Sequence, residues 1–180
     1  MKATGIVRRI DDLGRVVIPK EIRRTMRIRE GDPLEIYTSR DGEVIFKKYS
    51  LMNGVEDFAA QLCETMNRST GKLCAITDRD TIIAVAGGSR RELLGKRVTA
   101  ELEQLMENRR IYRFEAGGAP LSVTDGVEGL TVHVAAPILA EGDLLGLVLF
   151  VDTQTPTPAA DAEYKLAQTI SAFLGRHMEG

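Results

Sequence analysis

Short apolar runs separated by turn residues mark the first fifty positions of the chain. Val16, Val17 and Ile18 form such a run between Gly14 and Pro19. A run of this length, bounded by a glycine and a proline, predicts a short buried strand.

A basic helix is predicted directly after that strand. Pro19 suits the first helical position, because a proline there loses no intrahelical hydrogen bond. On a helix over residues 20–27, four basic side chains share one face, and they are Lys20, Arg23, Arg24 and Arg27. Ile22 and Met26 occupy the opposite face, where they are available to a core.

The same segment predicts three more strands. Residues 4–10 form a first strand, and residues 34–38 and 43–47 alternate with period two around an Asp41-Gly42 turn. Units below about 70–80 residues rarely bury enough apolar area to fold without a disulfide, a metal or a partner. We therefore expect this unit to interleave its strands with those of a second copy.

After residue 50 the pattern predicts a second domain. Apolar residues recur every three or four positions over residues 51–68, which predicts a helix that Ser50 or Asn53 would cap. The later predicted elements are strands over residues 73–77 and 81–86, a helix over 99–108, a weak strand over 111–114, strands over 132–139 and 144–151, and a helix over 159–178. Residues 115–130, rich in glycine, predict a mobile loop.

Charge is distributed unevenly between the two parts. The 180 residues carry a formal net charge of −2, from 24 Lys and Arg against 26 Asp and Glu. Residues 1–50, here called the head, hold 12 basic and 8 acidic residues, whereas residues 51–180 hold 12 and 18. This asymmetry predicts two domains with different partners and a head that binds a polyanion. No apolar run has the length of a membrane span and no signal core is evident, so we expect a cytoplasmic protein.

The basic helix face is the candidate site. Glu21 is the one carboxylate between residues 13 and 29, and on a helix it points away from the four cations. A solvated surface is the ordinary interpretation of clustered charge. Like charges at this spacing repel, so helix stability does not account for them, and the pattern favours anion binding.

Metal and thiol chemistry finds little support in the sequence. Cys63 and Cys74 lack a metal-ligand spacing and are predicted to be buried and reduced. His133 and His177 stand far apart, so neither a metal site nor a cofactor is predicted.

A phosphate-binding loop is also rejected. Arg90 and Arg97 occupy positions around Gly95-Lys96 where such a loop requires Gly and Ser or Thr. Residues 87–89, which precede two arginines, predict either a plain turn or a small anion nest.

Four segments of the head carry a family resemblance. They are TGIVR at residues 4–8, DLGRVVIP at 12–19, EIRR at 21–24 and LEIY at 34–37. Together they resemble the swapped-hairpin DNA-binding domain of AbrB-type bacterial transition-state regulators. The resemblance implies an intertwined dimeric β-barrel that binds double-stranded DNA. It places the DNA-contacting arginines at Arg8, Arg15, Arg23 and Arg24, with Arg9, Lys20 and Arg27 as further basic contacts.

The hairpin over residues 132–151, with its Ala-Pro-Ile and Leu-Gly-Leu-Val runs, resembles that of a GAF domain. GAF domains are sensory α+β modules with a central antiparallel sheet, whose first and last helices often pack against those of a partner. Two interfaces per chain would allow a homotetramer. An unidentified small-molecule ligand is also implied, with residues 115–130 as its lid. The Asn-Lys-x-Phe-Asp-Glu motif of cyclic-nucleotide GAF domains is absent, so that ligand class is not carried over.

We thus predict an α+β protein with an AbrB-type head over residues 1–50 and a GAF-like domain over 51–180, in which 51–70 is the connecting helix. The combination resembles bacterial sporulation regulators and implies a non-enzymatic transcription regulator that binds promoter DNA. One alternative is a small-molecule enzyme or sensor whose head only dimerises it, since some GAF relatives reduce methionine sulfoxide with reactive cysteines. An antitoxin is a third hypothesis, but antitoxins usually end in a short extended tail rather than a folded body.

Overall fold

The computed structural model describes residues 4–88 and 90–179. The chain divides into two compact units, Met1–Tyr49 and Ser50–Gly180. None of the described helices combines the length and apolar character needed to cross a membrane.

The first unit contains one helix and one hairpin. Helix α1 spans Lys20–Met26, and strands β1 (Leu34–Thr38) and β2 (Val44–Lys48) pair antiparallel. The register runs from Leu34 opposite Lys48 to Thr38 opposite Val44, and Gly42 adopts a φ of 82° in the connecting turn. The predicted helix and hairpin are therefore confirmed to within one residue.

The two strands predicted ahead of the helix are absent from the single chain. Residues 4–10 and 15–18 belong to no strand, although the chain reverses between them. The reversal is fixed by hydrogen bonds from Gly14 N to Asp11 O (3.0 Å) and from Asp11 N to Arg15 O (3.1 Å). A strand requires a neighbour to receive its backbone hydrogen bonds, and the described residues of one chain supply none here. For the same reason the described head closes no barrel.

Burial shows how incomplete the head is as a monomer. Among residues 4–49, only Pro19 is buried. Large apolar side chains lie in solvent, with relative exposures of 86% for Val7, 71% for Val17, 69% for Ile10 and 61% for Ile36. A head of this composition has the apolar residues for a core but buries almost none of them within one chain.

The second unit is built on a five-stranded antiparallel sheet in the order β4-β3-β7-β6-β5. Its elements are α2 (Glu56–Thr70), β3 (Leu73–Thr77), β4 (Ile82–Ala86), α3 (Arg90–Leu93), α4 (Ala100–Glu107), β5 (Tyr112–Arg113), β6 (Thr131–Ala140), β7 (Asp143–Asp152) and α5 (Asp161–Met178). The α+β class and the predicted order of elements are confirmed. The short helix α3 was not predicted.

Both faces of this sheet are covered. On one face, α2 and α5 pack over a core that contains Cys63, Phe150 and Leu174. On the other face, α4 and the loop that follows β5 enclose a second core around Leu102 and Leu147. Because both faces are buried, the central strands β3, β6 and β7 are apolar at almost every position.

Two glycines permit close approach between neighbouring elements. A Cβ atom at Gly175 of α5 would overlap the carbonyl oxygen of Leu139 in β6. A Cβ atom at Gly146 of β7 would overlap the carbonyl oxygen of Thr77. These positions therefore require glycine for space rather than for backbone conformation.

The start of α2 differs from the sequence prediction. The helix begins at Glu56 rather than near residue 51, because Gly54 interrupts the helical path with a φ of 87°. Neither predicted residue caps it, since the Ser50 hydroxyl instead accepts a hydrogen bond from Met52 N (3.2 Å). The predicted helix α4 is confirmed, and Thr99 caps it by accepting a hydrogen bond from Leu102 N (3.1 Å).

The glycine-rich loop over residues 115–130 is anchored to the unit at its centre. Val123 and Thr124 are buried, and Val123 N donates to Leu130 O (3.2 Å). Thr124 also forms a bridge with Val98. The prediction of one freely mobile loop is therefore wrong for its second half, because an apolar side chain within it belongs to the core.

A buried ionic network joins the end of β7 to three other segments. Asp152 accepts from Lys72 Nζ (3.0 Å) and Thr157 N (3.0 Å), and its Oδ2 lies 2.9 Å from His133 Nδ1. Burial raises the pKa of Asp152, but the hydrogen bonds from Thr157, Lys72 and His133 outweigh it and hold the pKa below its usual value. The carboxylate thus ties the segment before α5 to the sheet.

We expect acid to weaken the second unit through Asp152. Its folded pKa is depressed, so its contribution is present above the unfolded pKa of about 4 and is lost as pH falls through the folded value. Asp152→Asn should lower the free energy of unfolding by about 1–3 kcal/mol at neutral pH. Urea unfolding of the full chain at neutral and acid pH measures this effect.

The exposed Asp143→Asn variant is the matched control and should unfold like the unmodified chain. Asp152→Asn should also lose less stability on acidification. An identical pH dependence in Asp152→Asn and the unmodified chain would contradict the assignment.

Candidate nucleic-acid interface

The predicted basic face of α1 is present in shortened form. Lys20, Arg23 and Arg24 are exposed on the helix. The helix ends at Met26, and Arg27 adopts a left-handed φ of 52°. Placing Arg27 on the same helical face was therefore wrong.

Arg27 instead terminates the helix. Its N–H donates to Arg24 O (3.3 Å), and Ile28 N donates to Arg23 O (2.8 Å). This pair of bonds is the Schellman ending, which normally favours glycine at the left-handed position. The ending fixes the last turn, which carries Arg23 and Arg24, and it directs the chain toward β1.

Arg15 lies on the turn between the two apolar segments of the head. Its Nε atom is 2.8 Å from Asp11 Oδ2, and its backbone N–H donates to Asp11 Oδ1 (2.7 Å). The backbone and side-chain hydrogen bonds from Arg15 lower the pKa of Asp11. The Arg15 side chain is still 69% exposed, so it remains accessible although its backbone is held by the turn.

Arg8 and Arg9 are exposed in the segment over residues 4–10, which has no strand partner in the single chain. The structure thus places Arg15 on a fixed turn and Lys20, Arg23 and Arg24 on one helix. Arg8 and Arg9 lie on neither element.

An ionic cluster that the sequence analysis missed holds the end of α1 against the hairpin. Lys48 Nζ donates to Arg27 O (2.8 Å) and lies 3.5 Å from Asp32 Oδ2. The same carboxylate oxygen accepts from Arg29 N (2.9 Å), and the Asp32 side chain is only 5% exposed. No helical or strand period links these positions, so the sequence pattern gave no signal for this cluster.

The hairpin contributes a further cation outside the predicted set. Lys47 Nζ lies 4.6 Å from the ring centre of Tyr37, within the range of a cation–π contact. The Tyr37 hydroxyl donates to Glu35 Oε2 (2.5 Å), and this bond raises the pKa of Tyr37.

The two cysteines lack the properties of reactive thiols. Cys63 and Cys74 are both buried. Burial raises the pKa of Cys63 well above its usual range and raises that of Cys74 to about 12. A thiol that stays protonated at neutral pH is a poor nucleophile. Among the described residues, no cluster of His, Cys, Asp or Glu is arranged to hold a metal ion.

An open cleft of about 690 Å³ lies beside α4 in the second unit. Its walls combine polar groups with apolar ones, including Gln104, Tyr112 and Leu121. Burial raises the pKa of Tyr112, so its phenol stays neutral and can both donate and accept. Ala119 and Leu121 of the glycine-rich loop form part of the wall.

Comparison with known proteins places the chain in a family. Residues 54–179 match the family described as stage V sporulation protein T C-terminal, transcription factor. The chain is also 48% identical over 181 residues to stage V sporulation protein T of Bacillus subtilis strain 168, with 99% of both chains covered. The chain belongs to the stage V sporulation protein T family.

The separate parts of this stage V sporulation protein T family member have relatives of their own. The transition state regulatory protein AbrB of Bacillus subtilis is 63% identical over 49 residues, which cover 27% of this chain and 50% of AbrB. Residues 7–51 match the family described as antidote-toxin recognition MazE, bacterial antitoxin. The resemblance of the head to AbrB-type domains is therefore confirmed.

A solved structure shows the fold of the second unit. The GAF domain of Acinetobacter phosphoenolpyruvate-protein phosphotransferase aligns with a TM-score of 0.52 at 14% identity, covering 73% of this chain and 84% of that one. At this identity the similarity establishes the GAF-like fold alone.

We expect the ionic cluster of Asp32, Lys48 and Arg29 to hold the end of α1 in place. Asp32→Ala removes the buried acceptor shared by Lys48 and Arg29, so the end of α1 should open more often. Hydrogen exchange of backbone amides over residues 20–28 in the full chain should accelerate on the order of tenfold.

The exposed Asp12→Ala variant removes the same charge from the head without removing a buried acceptor. It should leave exchange over residues 20–28 unchanged. Equal acceleration in both variants would assign the effect to net charge and refute the role of the cluster.

Proposed function

We propose that this chain regulates transcription by binding promoter DNA as a dimer through its head. The observation that carries the proposal is the coincidence, in one small unit, of an unburied apolar set with an exposed basic set. Its membership of a family of sporulation transcription factors supports sporulation genes as the targets. DNA binding is assigned to residues 1–50, and assembly and sensing are assigned to residues 51–180.

Dimerisation follows from the hydrophobic effect. Val7, Ile10 and Val17 are each more than two-thirds exposed in one chain, and they lie in segments that lack a strand partner. Exposed apolar sets of this kind mark interaction surfaces. A second head would supply both the strand partners and the missing half of the core, so that the barrel forms between chains.

Pairing two heads would also duplicate the basic surface. Arg8, Arg15, Arg23 and Arg24 would then form two symmetric sets of guanidinium groups, which suit phosphates and the guanine edges of the major groove. Arg9, Lys20 and Arg27 would add phosphate contacts. Because few amide side chains accompany these cations, DNA shape and deformability would contribute to specificity.

The double variant Arg15→Ala and Arg23→Ala tests the interface in the intact protein. Binding of duplex DNA should weaken by on the order of a hundredfold, and the slope of affinity against salt should become shallower. Fluorescence anisotropy at several salt concentrations provides both quantities. Circular dichroism and sedimentation check that the variant folds and assembles normally.

Arg40→Ala with Lys165→Ala is the matched control, because both cations are exposed and lie outside the proposed interface. It should bind DNA like the unmodified chain. Undiminished binding by the folded Arg15→Ala and Arg23→Ala variant would refute the proposed interface.

We also propose that the second unit joins two dimers into a tetramer through α2 and α5. An aromatic cluster supports this surface, since the Phe58 ring lies 4.6 Å from that of His177 and 6.0 Å from that of Phe173. Phe173 is 51% exposed, so half of a large apolar ring lies in solvent. A helix face of this kind is suited to packing against its symmetry copy.

Phe173→Glu tests this assembly. A carboxylate at the centre of an apolar interface is costly to bury, so the tetramer should dissociate to dimers in analytical ultracentrifugation. The control Gln168→Glu adds the same charge at an exposed position of α5 and should remain tetrameric. A tetramer in both variants would place the second interface elsewhere.

A small-molecule ligand in the α4 cleft is the remaining element of the proposal. The cleft has polar and apolar walls and a flanking loop, which support a sensory role. Buried, protonated thiols argue against the alternative of a cysteine enzyme. A thermal-shift screen with nucleotides and amino acids tests the cleft, and an unchanged melting temperature throughout would remove it from the proposal.

A further inference from the structure

Four basic residues of the second unit fall within eight consecutive positions. They are Arg90, Arg91, Lys96 and Arg97, and all four are exposed. We call this set the second basic patch. It contains a third of the 12 basic residues after position 50, in a part of the chain that is otherwise acidic. Glu92 is the one carboxylate within the segment.

Backbone hydrogen bonds attach this segment to the edge of the sheet. Ile82 N donates to Lys96 O (3.0 Å), and Gly95 N donates to Ile82 O (2.8 Å). Leu93, at the end of α3, is completely buried and anchors the middle of the segment. The four cations are therefore displayed on a fixed scaffold rather than on a flexible tail.

Among the described residues of this unit, four basic side chains outside the patch form ion pairs, and four, including Arg110 and Arg176, form none. Arg68 lies 3.8 Å from Glu64, Arg79 lies 2.6 Å from Glu107, and Arg113 lies 3.0 Å from Asp161.

Over the described residues, by contrast, none of the four patch side chains forms an ion pair with a carboxylate. Coulomb repulsion disfavours the concentration of four like charges within eight positions, and a bound anion would offset that repulsion.

We propose that the second basic patch is a sequence-independent phosphate-binding surface that contacts DNA beyond the footprint of the heads. The inference rests on the proposed DNA-binding function and extends it to the second unit. The chemistry fits phosphate, since the patch offers guanidinium and ammonium groups without amide side chains to read bases. Residues 51–180 carry 12 basic and 18 acidic side chains, so the unit as a whole repels DNA and the patch would localise its approach.

The test compares two duplexes and two variants of the full chain. A duplex of about 20 base pairs spans two helical turns and is long enough to contact only the heads, whereas one of about 60 base pairs extends past them. The first variant replaces Arg90, Arg91, Lys96 and Arg97 with Gln. The second replaces the three arginines with Lys and so preserves the charge.

The unmodified chain should bind the longer duplex more tightly and with the steeper salt dependence. On that duplex the slope of log affinity against log salt should be shallower by about 3 to 4 for the Gln variant, because each of the four cations removed costs one phosphate contact. It should bind the shorter duplex normally. The Lys variant should match the unmodified chain on both, and thermal unfolding should show that all three proteins are folded.

If the Gln variant bound each duplex as tightly as the unmodified chain does, the inference would be overturned. The patch would then be assigned to a partner other than DNA. An equal loss on both duplexes would also overturn it, because a separate contact acts only on the longer one. Failure of the unmodified chain to bind either duplex would overturn the proposed function itself.

Discussion

The head of this protein depends on apolar side chains that one chain does not bury. Its described residues include a single buried position, Pro19, while Val7 and Val17 are among its most exposed side chains. The hydrophobic effect is the main favourable term in folding, so a unit that leaves its apolar residues in water gains little from it. In the proposed dimer, a second copy would supply the strand partners, close the barrel and complete the arrangement of the arginines.

The second unit shows the contrasting case. It covers both faces of a five-stranded sheet, and Gly175 allows α5 to approach β6 without overlap. Asp152 joins the last strand to Lys72 and to the segment before α5. A unit that buries its own core can support the proposed assembly of the chain. The head buries little apolar surface, so association with a second copy would add directly to its stability.

Local patterns predicted most of the second unit and half of the head. Helix α4 with its Thr99 cap and the hairpin β6–β7 follow from periodicity and turn residues that act within a few positions. The departures involve contacts distant in sequence or a special backbone conformation. Arg27 takes a left-handed φ that ordinarily indicates glycine, and Val123 holds a glycine-rich loop against the core.

The sequence by itself determined the two-domain division of charge, the α+β composition, the basic helix and the family resemblance of the head. These features are local or compositional, so they can be predicted without knowledge of the fold. Only the tertiary structure showed that Asp32 and Lys48 hold the end of α1, that burial raises the pKa of both thiols, and that the four cations of the second basic patch form no ion pair with a carboxylate of the described residues. Each of these depends on which distant residues meet and on how deeply they are buried, and periodicity along one chain does not specify either.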